Sequence, residues 1–169
     1  MRYLLFISVT LISLNSFSQN EIFEYTENGL NDYVVTEVEN KTKEEIYKKA
    51  MNWVKETYKH PDKVLVMDIE NEKLRISAIA SALLFVKKFN FPLDYVIEIS
   101  IKEGRYKFDL ISLTTTEIGT DYKNLPNFKT DKKMVKNFGD SPQRIENYFN
   151  GLNESLKTYI LGKKKKDDW

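Results

Sequence analysis

The sequence predicts a single α+β domain in which one antiparallel sheet carries two helices on one face. Two stretches, residues 42–60 and 142–160, repeat apolar side chains at helical spacing. Two others, residues 65–78 and 95–112, alternate apolar and polar residues about a short turn, as antiparallel hairpins do. The chain of 169 residues contains no internal repeat and no low-complexity linker, so one core suffices.

Residues 1–18 read as a signal peptide. Arg2 supplies the positive start, Leu4 to Leu14 form a short apolar run, and Ser16 and Ser18 place small residues before a cleavage site between Ser18 and Gln19. The run is shorter than the roughly 20 residues a bilayer-spanning helix needs. The expectation is an exported protein, periplasmic or secreted, with no transmembrane segment in the mature chain. Residues 19–30 are expected to be a loose N-terminal segment with some strand character. Residues 31–162 form the domain, and 163–169 are a charged tail.

Within the domain, Asp32 to Glu39 reads as a first strand. Thr42 and Glu45 then make a capping box, and Ile46, Ala50, Trp53 and Val54 line one helical face until His60-Pro61 ends it. A first hairpin turning at Asn71-Glu72 pairs Ile69 with Leu74 and Met67 with Ile76. The same register pairs Asp68 with Arg75 and Glu70 with Lys73 on the reverse face. A second hairpin turning at Glu103-Gly104 sets Tyr95, Ile97, Ile99 and Ile101 against Ser112, Leu110, Phe108 and Tyr106. Residues 116–141 form a polar surface excursion. Ser141-Pro142 starts a last helix with an apolar stripe from Ile145 to Ile160. The two helices cover the apolar sheet face, and the reverse, charged near the turns, meets water.

The order strand, helix, four strands, helix is that of a TBP-like half-repeat. The helix segment Glu45-Ile46-Tyr47-Lys48-Lys49-Ala50-Met51-Asn52-Trp53 and the hairpin Ile99-Ser100-Ile101-Lys102-Glu103-Gly104-Arg105-Tyr106-Lys107-Phe108 resemble the DUF4468 family of exported bacterial proteins. The resemblance covers about Asp32 to Leu113 and implies a TBP-like fold and export. It implies no catalytic residue, because the family has no assigned activity.

Composition restricts the chemistry. There are 26 Lys+Arg against 25 Asp+Glu, so no global field favours nucleic acid, and none is expected as a partner. The absence of cysteine excludes a disulfide framework and a lipid-modified cysteine. One histidine, His60, stands at a helix end, a structural or solvated position; no metal site and no cofactor is expected. No nucleophile elbow and no phosphate-cradling glycine loop is present. The single carboxylate pair with a predictable geometry is Glu98 opposite Asp109, close enough for one pKa to rise, or else a solvated pair balanced by Lys102 and Lys107. Lys163 to Lys166, followed by Asp167 and Asp168, read as a solubilising end.

The reverse sheet face is where the sequence points for function. Val66, Ile79, Val96 and Ile111 are expected side by side on it, with Leu113 one step further. The connection Leu83 to Pro92 brings Phe85, Phe89 and Phe91 to the same end. Such a patch suits a protein, peptide or lipid-like ligand of the cell envelope and makes a non-enzymatic binding module the first reading. The alternative is a structural accessory domain whose patch is covered by residues 83–92 or 116–141. A hydrolase built on Glu98 and Asp109 ranks third.

Overall fold

The computed structural model describes residues 22–115 and 119–162. The predicted leader, with its Ser18/Gln19 cleavage site, and the charged tail lie outside the described residues. The described chain opens with a small hairpin, β1 (Tyr25–Thr26) and β2 (Gly29–Leu30). It continues through β3 (Tyr33–Glu37), α1 (Lys43–Thr57), α2 (Pro61–Val64), β4 (Leu65–Ile69), β5 (Lys73–Val86), β6 (Phe89–Lys102) and β7 (Arg105–Thr115). Helices α3 (Lys132–Phe138) and α4 (Ser141–Ile160) end it. Strands β3 to β7 form one antiparallel sheet in the order β3-β7-β6-β5-β4.

The capping box forms as the sequence predicts: Thr42 Oγ1 accepts the Glu45 N–H at 3.2 Å, and Glu45 Oε2 accepts the Thr42 N–H at 3.0 Å. Helix α1 buries Ile46, Ala50, Trp53 and Val54, and α4 buries Ile145, Phe149, Leu156 and Ile160. Both cover the sheet face made by Leu74, Ile76, Ile97, Ile99, Phe108 and Leu110, all of them buried. Each such side chain contributes about 1.5–3 kcal/mol of hydrophobic stabilisation. The inner face of the sheet is therefore the core, and Glu98 lies on the reverse.

The N-terminal segment is not loose from Phe23 onward. Phe23, Tyr25 and Leu30 are buried, and the Leu30 N–H donates to the Lys123 carbonyl at 2.8 Å. Gly29 is required there: its φ is 116°, and a Cβ would stand 2.5 Å from the Lys123 carbonyl oxygen. The excursion is also more ordered than its polarity suggests. Tyr122 and Phe128 are buried, and Phe128 stacks edge-on against Tyr25 and Phe138 at 5.2 and 5.1 Å. Buried Glu146 of α4 ties these pieces together by accepting the Tyr25 N–H at 2.8 Å and Lys129 Nζ at 3.0 Å. The described part of the excursion, residues 119–141, thus packs beside the helix layer through Phe128 and Lys129. The last helix differs in one detail: its N-cap is Asp140, which makes no side-chain cap bond. Ser141 Oγ instead accepts the Phe85 N–H at 2.9 Å.

Three further corrections concern strand register. The first hairpin has a three-residue connection, residues 70–72, so Ile69 pairs with Lys73 and Asp68 with Leu74. Asn71 takes the left-handed conformation (φ 59°) that asparagine tolerates, and the Glu72 N–H closes the turn on the Ile69 carbonyl. This slip by one residue turns Ile69 outward and leaves the predicted Asp68–Arg75 and Glu70–Lys73 pairs unformed. A bulge at Val66 then returns Leu65 to the core-facing side, opposite Ile76 instead of the expected Met67. The second hairpin keeps its predicted register from Lys102 back to Ile97, opposite Arg105 to Leu110. Beyond that a bulge at Ile111 sets Tyr95 against Leu113. Finally, residues 83–92 are not a loop. After an irregularity at residues 81–83, β5 and β6 continue as a two-stranded ribbon, with Leu84, Phe85 and Val86 opposite Phe91, Asn90 and Phe89.

Candidate functional site: the helix-free sheet face

Strand alternation places every second residue on the helix-free face, and the observed register arranges them in rows across the sheet. One row reads Ile69, Lys73, Ser100, Lys107, Val35; the next reads Met67, Arg75, Glu98, Asp109, Tyr33. At the turn end lie Lys102, Arg105 and Glu37, and toward the opposite end Ile79, Asp94 and Thr114.

Glu98 and Asp109 are Cα partners, as the sequence predicts. Their cations are not those expected. Glu98 binds Lys73 Nζ at 2.7 Å and Arg75 Nε at 3.0 Å, while Lys107 serves Asp109. Glu98 is only 5 % exposed although it points away from the core, because the Lys73 and Arg75 side chains cover it. Burial pushes its carboxyl up. Hydrogen bonds and charge from Lys73 and Arg75 outweigh that and hold it below the usual carboxylate range. Glu98 is thus held ionised, the reverse of what a proton-donating acid requires. Among the described residues no group of three or more His, Cys, Asp or Glu side chains is placed to hold a metal ion.

The predicted apolar row does not assemble. Val66 and Ile79 are exposed at 56 % and 66 %, but each stands alone: Val66 at the edge-strand bulge, Ile79 opposite Asp94. Val96 is half-buried between Ser77 and Ser112, and Ile111 is the exposed bulge residue. Leu113 is fully buried opposite Tyr95, because the bulge at Ile111 reverses the alternation beyond it. Without that bulge the helix-covered face would bury Ser112 and expose Leu113. Phe91, opposite buried Leu84, packs against the core. The Phe85 ring lies under Arg144 at 5.1 Å, and Phe89 stands exposed at the ribbon tip. The three phenylalanines therefore belong to the end of the helix layer and the ribbon, not to the reverse face. The described parts of segments 83–92 and 116–141 leave Val66 and Ile79 uncovered.

What does assemble is a depression of about 410 Å³ at the turn end, lined by Tyr33, Val35, Ser100, Lys102, Arg105 and Lys107, with Tyr106 beneath. Lys107 Nζ sits 5.1 Å from the centre of the Tyr33 ring. Arg105 reaches Glu37 only at 3.8 Å, and among the described residues Lys102 has no carboxylate partner. No carboxylate lines the depression. Its cations flank the Gly104 turn at outward positions, a pattern visible in the sequence. Tyr33 and Val35 join only because β3 pairs with β7, which periodicity does not reveal.

With this geometry in view, the relatives are informative. Residues 32–115 match the family described as a domain of unknown function, DUF4468, with TBP-like fold. Residues 32–115 belong to the DUF4468 family. A crystal structure of a DUF4468 family protein from Bacteroides ovatus superposes with a TM-score of 0.60 at 12 % identity, covering 82 % of this chain and 90 % of that one. A TBP-like protein from Parabacteroides distasonis gives a TM-score of 0.54 at 17 % identity, covering 78 % and 95 %. At such identities the likeness establishes the fold alone. No curated protein matches the chain. The DUF4468 sheet with its helices on one face is the predicted architecture, and among the described residues no helix is long and apolar enough to cross a membrane.

Proposed function

We propose that the chain is an exported, non-enzymatic binding module of the cell envelope that takes an extended acidic peptide segment on its helix-free sheet face. The observation that carries this reading is the depression beside the Gly104 turn, which three cationic side chains line and no carboxylate does. Charge complementarity favours an acidic segment. Tyr33 and Val35 add apolar contact for side chains that alternate with the acidic ones. The leader-like residues 1–18 support export. The ionised state of Glu98 weighs against the hydrolase reading, and the exposure of Val66 and Ile79 weighs against a self-covered face.

The test is an amide-shift titration with a peptide of alternating Glu and Leu. Shifts are expected on β3 and on the β6–β7 turn, and the Lys102→Glu/Arg105→Glu variant is expected to weaken binding about tenfold or more. Shifts confined to α1 and α4, or equal affinity for the Lys/Leu counterpart, would refute the reading.

A further inference from the structure

A second surface lies away from that depression. Beyond residue 83, β5 and β6 project as a ribbon closed by Lys87 and Lys88, with Phe89 at its tip. Phe89 is 71 % exposed, the most exposed of the large apolar side chains among the described residues. Lys87 has φ 57°, a left-handed conformation that glycine or asparagine fills at lower cost. The ribbon is held firmly on one side. The Lys87 N–H donates to the Asn137 carbonyl of α3 at 2.8 Å, the Phe85 N–H to Ser141 Oγ, and the Arg144 guanidinium covers the Phe85 ring.

That anchorage brings the turn against α3, which adds Lys132, Lys133 and Lys136, all exposed. Among the described residues none of these five lysines forms an ion pair. Nearby Asp131 spends one carboxylate oxygen on the Lys133 and Met134 N–H groups, and Asp140 is taken by Arg144. A chain of formal net charge +1 therefore carries five exposed lysines without ion pairs on this turn and the helix bonded to it, two of them directly before the exposed Phe89.

We propose that the ribbon tip and α3 dock on a bilayer bearing anionic headgroups, with Phe89 inserted at the boundary between headgroups and acyl chains. The lysines supply attraction at the headgroup level, and Phe89 supplies the apolar anchor. The composition favours this over nucleic acid. All five cations are lysines rather than the arginines suited to phosphate forks.

Vesicle co-sedimentation tests the proposal, using vesicles of phosphatidylglycerol with phosphatidylcholine and vesicles of phosphatidylcholine alone. Binding to the anionic vesicles is expected, and binding to the neutral ones is expected to be weaker by tenfold or more. One lysine near an anionic surface is worth roughly fivefold in affinity, so Lys87→Glu/Lys88→Glu should cost about 25-fold or more. Phe89→Ser should cost about tenfold. A Phe89→Trp variant should show a blue-shifted emission increment on anionic vesicles. All three positions are exposed, so the variants should keep the far-ultraviolet circular dichroism of the parent. Equal binding to neutral vesicles, unchanged binding by Phe89→Ser, or no emission shift would overturn the proposal. So would tighter binding to single-stranded DNA than to anionic vesicles. None of these substitutions touches the Gly104 depression, so this result stands apart from the peptide titration.

Discussion

The two faces of the one sheet bury side chains by different means. On the helix-covered face, Ile97, Ile99 and Phe108 lose their solvent to α1 and α4, and burial there is apolar. On the helix-free face, Glu98 is nearly as inaccessible, but its cover is the Lys73 and Arg75 side chains. Ile97, Ile99 and Phe108 carry no titrating group. The cover of Glu98 depends on its carboxylate staying ionised. Within a few ångströms, one strand, β6, thus contributes apolar side chains whose burial is independent of pH and a carboxylate whose ion pairs are lost in acid.

The largest effect should come from the covered face. Phe108→Ala would open a cavity between sheet and helices and is expected to cost about 3–5 kcal/mol, read as a fall in the urea midpoint at unchanged slope. A loss below about 1 kcal/mol would mean that the helices do not seal that face.

Glu98→Gln should cost less, about 1–2 kcal/mol. Breaking a fully buried pair costs more, but Lys73 and Arg75 are 34 % and 35 % exposed and can recover water. The carboxyl titrates below its unfolded value of about 4.3. Its contribution is therefore complete above that pH and is lost as pH falls through the folded value. Urea midpoints followed downward from about pH 6 should show an acid limb in the parent that flattens in Glu98→Gln. An unchanged acid limb would remove Glu98 from its origin.

The smallest effect belongs to the isolated apolar residues of the open face. Ile79→Thr is expected to change stability by no more than about 0.5 kcal/mol in thermal unfolding. A loss several times larger would show that another part of the chain covers Ile79.

How far this arrangement is legible from sequence depends on distance along the chain. The capping box at Thr42, the stripes of α1 and α4, and the Lys102-to-Ile97 pairing about Gly104 follow from neighbours a few residues apart. The Glu98–Asp109 opposition is legible for the same reason. The bulges at Val66 and Ile111 are harder, since each exchanges the sheet face of every residue beyond it; the break in alternation at Leu110-Ile111-Ser112-Leu113 is the one local sign. The cations of Glu98 depend on β5 lying beside β6 in one particular register. The excursion is misleading in composition: Tyr122 and Phe128 are few among polar residues, yet each finds a buried place.

The chain's own pattern determined helices α1 and α4, the two central hairpins and the face that becomes core, because helical and strand periodicities are properties of neighbouring residues, and its composition fixed a formal net charge of only +1. Tertiary structure alone decided that β3 closes the sheet beside β7, that Leu113 turns inward, and that Tyr33 meets Lys102, Arg105 and Lys107. Those placements come from pairing segments dozens of residues apart, where one extra residue in a strand moves every later side chain to the other face.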